Sequence, residues 1–156
     1  MKRVLIITYY WPPSGGAGVQ RWLKFVKYLR SFNWEPIVFT VENGEFPVLD
    51  YDLIKEIPDG LEVLKVPAWE PYKMYKLFSG KNKNEGINSG FLSEKKGSSF
   101  VENISKWIRG NLFIPDARKF WIKPANQFLN QYLQNHPVDV IISSGPPHST
   151  HLIALS

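Results

Sequence analysis

At 156 residues, with 44% hydrophobic and 15% aromatic content, the chain suits one domain with a buried core. It has no cysteine, which excludes disulfides and thiolate metal sites, and no apolar stretch near the ~18 residues that a membrane-spanning helix needs. The net charge of +5 favours an acidic ligand, a phosphate or an anionic membrane surface without choosing among them, and solvated lysine explains it equally well. Met1-Lys2-Arg3 before an apolar run imitates a secretion signal, but the run is short and Trp11-Pro12-Pro13 stands where small residues would be needed.

Taken in chain order, Val4 to Thr8 reads as a buried strand. An aromatic and proline stretch follows, then Gly15-Gly16-Ala17-Gly18, then an amphipathic helix from Val19 to Phe32. Gly-rich turns let backbone N–H groups approach a ligand, and the helix start beyond them carries free N–H groups and a positive dipole end. Trp22, Phe25, Val26, Leu29 and Phe32 recur at helical spacing and are expected to face the core. Arg21 falls in the first turn, where a cation opposes the dipole. A bound anion would relieve that conflict, and a solvated arginine is the plain alternative.

Pro36 closes the helical region. Ile37 to Val41 is expected as a second buried strand, Asp52 to Ile57 as a short helical turn, and Leu61 to Val66 as a third strand near a sheet edge. Pro71 to Phe78 reads as a short helix. Residues 79–99 are rich in Gly, Ser, Asn and Lys and poor in apolar residues, which marks a flexible insertion within the domain. Phe100 to Arg109 is expected as a helix whose stripe, with Trp107 and flanking cations, belongs to the core or lies on a membrane surface. Another helix runs to about Asn135, with Pro124 in its first turn and Trp121, Ala125, Phe128, Leu129 and Tyr132 inward. Val138 to Ser143 is the fourth strand, and Ser149 suits the N-cap of a final helix.

Strands alternating with helices predict an α/β fold, a Rossmann-like doubly wound parallel sheet in strand order 3-2-1-4. Strands 1 and 4 then lie side by side where the order reverses, and ligands of such sheets bind outside the carboxyl ends of the strands at that point. The loops PPSGGAG and SSGPPHS would meet there. A dinucleotide fingerprint fits poorly, because Arg21 stands where its third glycine should be and too many residues separate strand 1 from Gly15. Glu42 is the one candidate for a ribose-binding acid, so a nicotinamide-dependent reductase stays as an alternative.

Three segments carry a resemblance: Tyr10 to Gly18, Ile114 to Arg118, and Ser143 to Ser149. Together they resemble the N-terminal, acceptor-side half of a retaining GT-B glycosyltransferase of the family 4-like, bacterial cell-envelope type. The resemblance covers residues 1–156 apart from the insertion. It implies two Rossmann-like domains with the reaction in the cleft between them, a nucleotide-sugar donor held mostly by the C-terminal domain, a glycan or lipid-linked acceptor, and neither cofactor nor obligatory metal. That C-terminal domain is expected to be missing here, with the catalytic residues beyond Ser156 and the isolated chain inactive. The resemblance also implies cytoplasmic residence, either free or peripheral at the inner face of the membrane, and no nucleic-acid partner is expected.

The candidate substrate- and phosphate-binding residues are Gly15, Gly16, Gly18, Arg21, Gly145, His148 and Ser149. For the glycines the alternative is turn geometry alone, and for His148 it is local capping. Arg118 is a possible acceptor contact or a partner of Asp116. His151 reads as structural, and its i, i+3 spacing from His148 lacks a carboxylate to complete a metal site. Strand 138–143, left at the sheet edge without proline or lysine, is expected to promote a homo-oligomer. A non-catalytic module that binds a lipid phosphate or a membrane is the third reading.

Overall fold

The computed structural model describes residues 1–68 and 114–156. The expected helix at 71–78, the insertion at 79–99 and the amphipathic helix at 100–109 lie outside the described residues. Four parallel strands form one sheet in the order β3-β2-β1-β4. They are β1 (Lys2–Thr8), β2 (Trp34–Val41), β3 (Glu62–Val66) and β4 (Val140–Ser144). Helix α1 (Ala17–Leu29) follows β1, α2 (Ile122–Asn135) precedes β4, and α3 (Ser149–Ala154) follows it. A 3-10 turn spans Tyr51–Glu56, close to the expected helical turn. Parallel pairing with helices between the strands is the α/β arrangement read from the strand–helix alternation.

The two faces of β1 divide the core. Leu5, Ile7 and Tyr9 join Ile37, Phe39, Trp121, Ala125, Leu129 and Ile153 under α2 and α3. Val4 and Ile6 join Val38, Trp11, Val19, Leu23 and Val26 under α1. β1 is therefore buried on both faces, as expected for a central parallel strand. Val4 to Ile7 of β1 and Ile37, Val38, Phe39 and Val41 of β2 lie within a few per cent of full burial, while Trp34 at the start of β2 is half-buried.

The structure corrects the face of α1. Val19, Leu23 and Val26 are its buried residues, whereas Phe25 and Phe32 point outward and Trp22 and Leu29 are half-buried. The apolar arc of α1 spans more than one side of the helix, and the sheet takes its smaller, aliphatic part. In α2 the expected inward residues divide likewise. Trp121, Ala125 and Leu129 are buried, while Phe128 and Tyr132 are only partly covered. The fourth strand begins two residues later than expected, at Val140, and one of its edges has no partner in the four-stranded sheet. Val140 and Ile141 are exposed there. Among the described residues no helix is long and apolar enough to cross a membrane.

The end of the sheet opposite the Gly-rich loop is closed by a polar clamp. Tyr132 donates its hydroxyl to Glu62 at 2.7 Å, and Arg3 approaches both groups. The backbone N–H of Arg3 donates to Asp139 at 2.6 Å, and the N–H of Asp139 returns the bond to Arg3 O at 2.9 Å. Burial, then the bond donated to the Glu62 carboxylate, push the Tyr132 phenol up to about 12 from an ordinary value near 10. A raised folded-state value means a contribution that is complete below the unfolded value and lost as pH rises through the folded one. We expect Tyr132→Phe to delete the last phenolate to form in an alkaline absorbance titration. It should also remove the part of the stability loss that wild type shows between pH of about 10 and 12. A wild-type minus variant difference curve centred near 10 would refute the assignment.

Candidate functional site

The loop after β1 and the loop after β4 emerge at the same end of the sheet, because β1 and β4 are parallel neighbours, with Thr8 opposite Ser144. An open cleft of about 580 Å³ lies there, between α1 and the β4–α3 connection. Arg21, Trp22 and Phe25 form the helix side. Ser143, Ser144, Gly145, Pro146, His148 and His151 form the other. No carboxylate is among these lining residues, so the fixed charge of the cleft is the Arg21 guanidinium.

Each polar side chain is placed by a local cause. Arg21 Nη2 donates to Ser144 Oγ at 3.3 Å, and its guanidinium lies 5.7 Å from the Trp22 ring centre. This bond spans from α1 to β4 and directs the cation into the cleft. The first turn of α1 has no acidic residue and no side-chain cap, so neither the Arg21 charge nor the helix dipole is locally offset. The Trp22 indole N–H is buried and has no acceptor among the described residues.

Ser143 Oγ and His151 Nδ1 are 2.8 Å apart. That contact leaves the Nε2 edge of the imidazole turned toward Gly145. A Cβ on Gly145 would stand 2.7 Å from His151 Nε2 and 3.5 Å from His148 Nδ1. Two ring nitrogens thus face the same side of one glycine; the approach of His151 Nε2 leaves no room for a Cβ, whereas the His148 distance is ordinary contact. The rings are 5.9 Å apart, centre to centre. Gly145 is required for close approach rather than for an unusual φ.

The structure brings together Arg21, Gly145 and His148 of the expected set. It adds Ser143, Ser144 and His151, which the residue pattern had not marked as a site. Gly15, Gly16 and Gly18 do not line this cleft. Gly15 packs against the loop before the 3-10 turn: its N–H donates to Val48 O at 2.9 Å, and a Cβ there would crowd Val48 and Asp50. Gly16, with φ of 111°, occupies the N-cap of α1, and a Cβ on Gly18 would meet nothing within 4 Å.

Ser149 is buried, and its role differs from the N-cap expected of it. It is the first residue of α3, with His148 in the cap position. The capping carboxylate comes from Asp116, far away in sequence. Asp116 Oδ2 accepts from Ser149 N–H at 2.7 Å, and Oδ1 accepts from Ser149 Oγ at 2.7 Å and from the Arg118 N–H at 2.8 Å. Asp116 and Arg118 are therefore linked through the Arg118 backbone in these bonds. The Arg118 guanidinium lies 5.0 Å from the Tyr9 ring centre, over the end of β1, and does not line the cleft.

Among the described residues no group of three histidines or carboxylates is placed to hold a metal ion. What the cleft offers is one guanidinium, two imidazoles and two hydroxyls. These are hydrogen-bonding groups suited to phosphoryl or sugar oxygens. No family model, no curated protein and no solved structure matches this chain.

Proposed function

We propose that the chain is the acceptor-side domain of a nucleotide-sugar-dependent glycosyltransferase of the GT-B type, working on a cell-envelope acceptor at the inner face of the membrane. The observation that carries the reading is the position and chemistry of the cleft. It lies at the point where the strand order reverses, between β1 and β4, and its lining joins Arg21 to His148 and His151 without a carboxylate. A diphosphate leaving group gains negative charge as the glycosidic bond breaks, and preorganised cationic and N–H donors favour that charge. Donor and acceptor must be held together for transfer, and in this reading a second α/β domain holds most of the donor. The three sequence segments that resemble the family surround this end of the sheet, and two of them, Ile114 to Arg118 and Ser143 to Ser149, are tied together by Asp116.

Titration of the chain with uridine or guanosine diphosphate, followed by amide NMR shifts, tests the reading. Shifts are expected at Arg21, Gly145, His148 and His151, with affinity reduced about ten-fold or more in Arg21→Gln, since charge-assisted bonds to phosphate are the strong ones. Shifts confined to other parts of the molecule, or none at millimolar nucleotide, would remove it. Sugar transfer by the 156-residue chain alone would overturn the assignment of the donor to a second domain.

A further inference from the structure

We infer that Asn43-Gly44 is a self-modification site: Asn43 converts without an enzyme to aspartate and isoaspartate, at a rate gated by its hydrogen bonds to Ala68. This holds whatever binds in the cleft.

The pair is the one Asn-Gly sequence in the chain. It lies where β2 and β3 stop pairing, just past Val41 opposite Val66. Two further rungs continue the ladder beyond that point. The Glu42 N–H donates to Val66 O at 3.1 Å. The Asn43 side chain then takes the place of a peptide group. Its Nδ2 donates to Ala68 O at 3.1 Å, and its Oδ1 accepts from the Ala68 N–H at 2.8 Å. A carboxamide both donates and accepts, whereas an ionised aspartate in its place only accepts.

Gly44 is fixed by packing. A Cβ there would stand 2.6 Å from Val41 Cγ1 and 2.9 Å from Phe46 Cε1. Val41 is buried, and the Phe46 ring is set against the Tyr9 and Tyr10 rings at 6.3 Å from each, so neither neighbour gives way cheaply. The fold thus places a glycine directly after an asparagine that it also uses. The chemical consequence is specific. With no Cβ on Gly44, its backbone nitrogen meets the least hindrance in attacking Asn43 Cγ. That nitrogen loses its proton to a solvent base and bonds to Cγ, and the Cγ–Nδ2 bond breaks with Nδ2 leaving as ammonia. Water then opens the succinimide at one carbonyl to give aspartate, or at the other to give isoaspartate. Asn43 is exposed, so water, the one co-reactant, reaches it.

The Ala68 rung is the gate. Closing the ring turns the carboxamide away from Ala68 and breaks both bonds, so the reaction proceeds from molecules in which this end of the sheet has opened locally. The product does not restore the rung. A carboxylate offers Ala68 O no donor and sets a charge against it, and isoaspartate lengthens the backbone beside Gly44. Conversion is therefore one-way. It leaves the β2–β3 end loosened beside the rings of Tyr9, Phe46 and Trp121.

The experiment incubates the chain in mildly alkaline buffer, folded and unfolded in urea. The peptide carrying Asn43 is followed by mass spectrometry, with aspartate and isoaspartate separated chromatographically. The folded chain is expected to convert about ten-fold or more slowly than the unfolded one, the scale of two net hydrogen bonds. Ala68→Pro removes the donor to Oδ1 and should move the folded rate toward the unfolded one. If circular dichroism shows that this variant does not fold, Ala68→Gly, which makes the rung costlier to hold, should raise the rate about two-fold or more. Asn43→Asp should fold and show faster hydrogen exchange at Ala68 than wild type. Equal rates in the folded and unfolded wild-type chain would overturn the proposal. So would a folded Ala68 variant that keeps the wild-type rate, or unchanged Ala68 exchange in Asn43→Asp.

Discussion

Trp121→Ala is expected to cost about 3–5 kcal/mol of folding stability, the range for removing a fully buried large aromatic side chain. Trp121 is fully buried at the start of α2. Its ring stacks on Phe39 of β2 at 5.4 Å and meets Tyr9, just past β1, edge-on at 5.6 Å. Its Nε1–H donates to Val66 O, on β3, at 3.2 Å. One side chain thus joins the ends of three strands, and alanine would leave a void and take from the Val66 carbonyl one of its two donors, the other being the Glu42 N–H at 3.1 Å. Against a typical total of about 5–15 kcal/mol, that loss brings the domain near its threshold. Guanidinium unfolding followed by far-ultraviolet circular dichroism reads it directly. Trp121→Phe keeps a ring and loses the bond, so a smaller loss of about 1–2 kcal/mol is expected. A cost under about 1 kcal/mol for the alanine variant would show that the three strands do not depend on this contact.

The second large effect belongs to Asp116. Asp116→Ala removes an acceptor of three hydrogen bonds, two of them from the buried Ser149. Ser149 N–H and Oγ then lose their acceptor inside the protein, which is the expensive way to break a hydrogen bond. We expect a loss of about 2–4 kcal/mol, with α3 and the Ile114-to-Arg118 segment detaching first in hydrogen exchange. Asp116→Asn keeps one acceptor oxygen and should fall between wild type and alanine. The same substitution should lower the affinity of the cleft, although Asp116 does not line it, because His148 and His151 are held by the turn that this carboxylate anchors. Normal protection of residues 149–154 in the alanine variant would contradict this account.

The sheet was legible in the residue pattern because every strand is a run of apolar residues bounded by turn chemistry, and alternation with helices restricts the order. The inward face of α1 was not legible. Val19, Leu23 and Val26 satisfy helical spacing, and so do Trp22, Phe25, Leu29 and Phe32, so periodicity alone does not say which half of a wide apolar arc meets the sheet. The site was legible in part. Arg21, Gly145 and His148 were marked by their place around the strand-order reversal. His151 escaped because its role depends on the chain folding back from Pro146 to set its ring against Ser143, eight residues earlier. Asp116 as the cap of α3 left no local signal at all, since its partner is 33 residues away. The glycines that advertised the first loop serve different needs: Gly15 admits the Val48-to-Asp50 loop, and Gly16 takes the cap conformation of α1.

The pairing of β1 with β4 also determines how this molecule must be made. The amide of Arg3 bonds Asp139 across 136 residues, and Val4 stands opposite Val140. β1, β2 and β3 can pair while the chain is still being synthesised, but one side of β1 has no native strand to receive it until residues 140–144 leave the ribosome. At ~5–20 residues per second that interval lasts several seconds or more. During it a strand that the finished fold buries on both faces offers a bare hydrogen-bonding edge to any other nascent chain. Joining such distant segments also makes folding slow. Yield in the cell is therefore expected to follow chaperone supply and growth temperature more closely than the equilibrium stability of the finished fold.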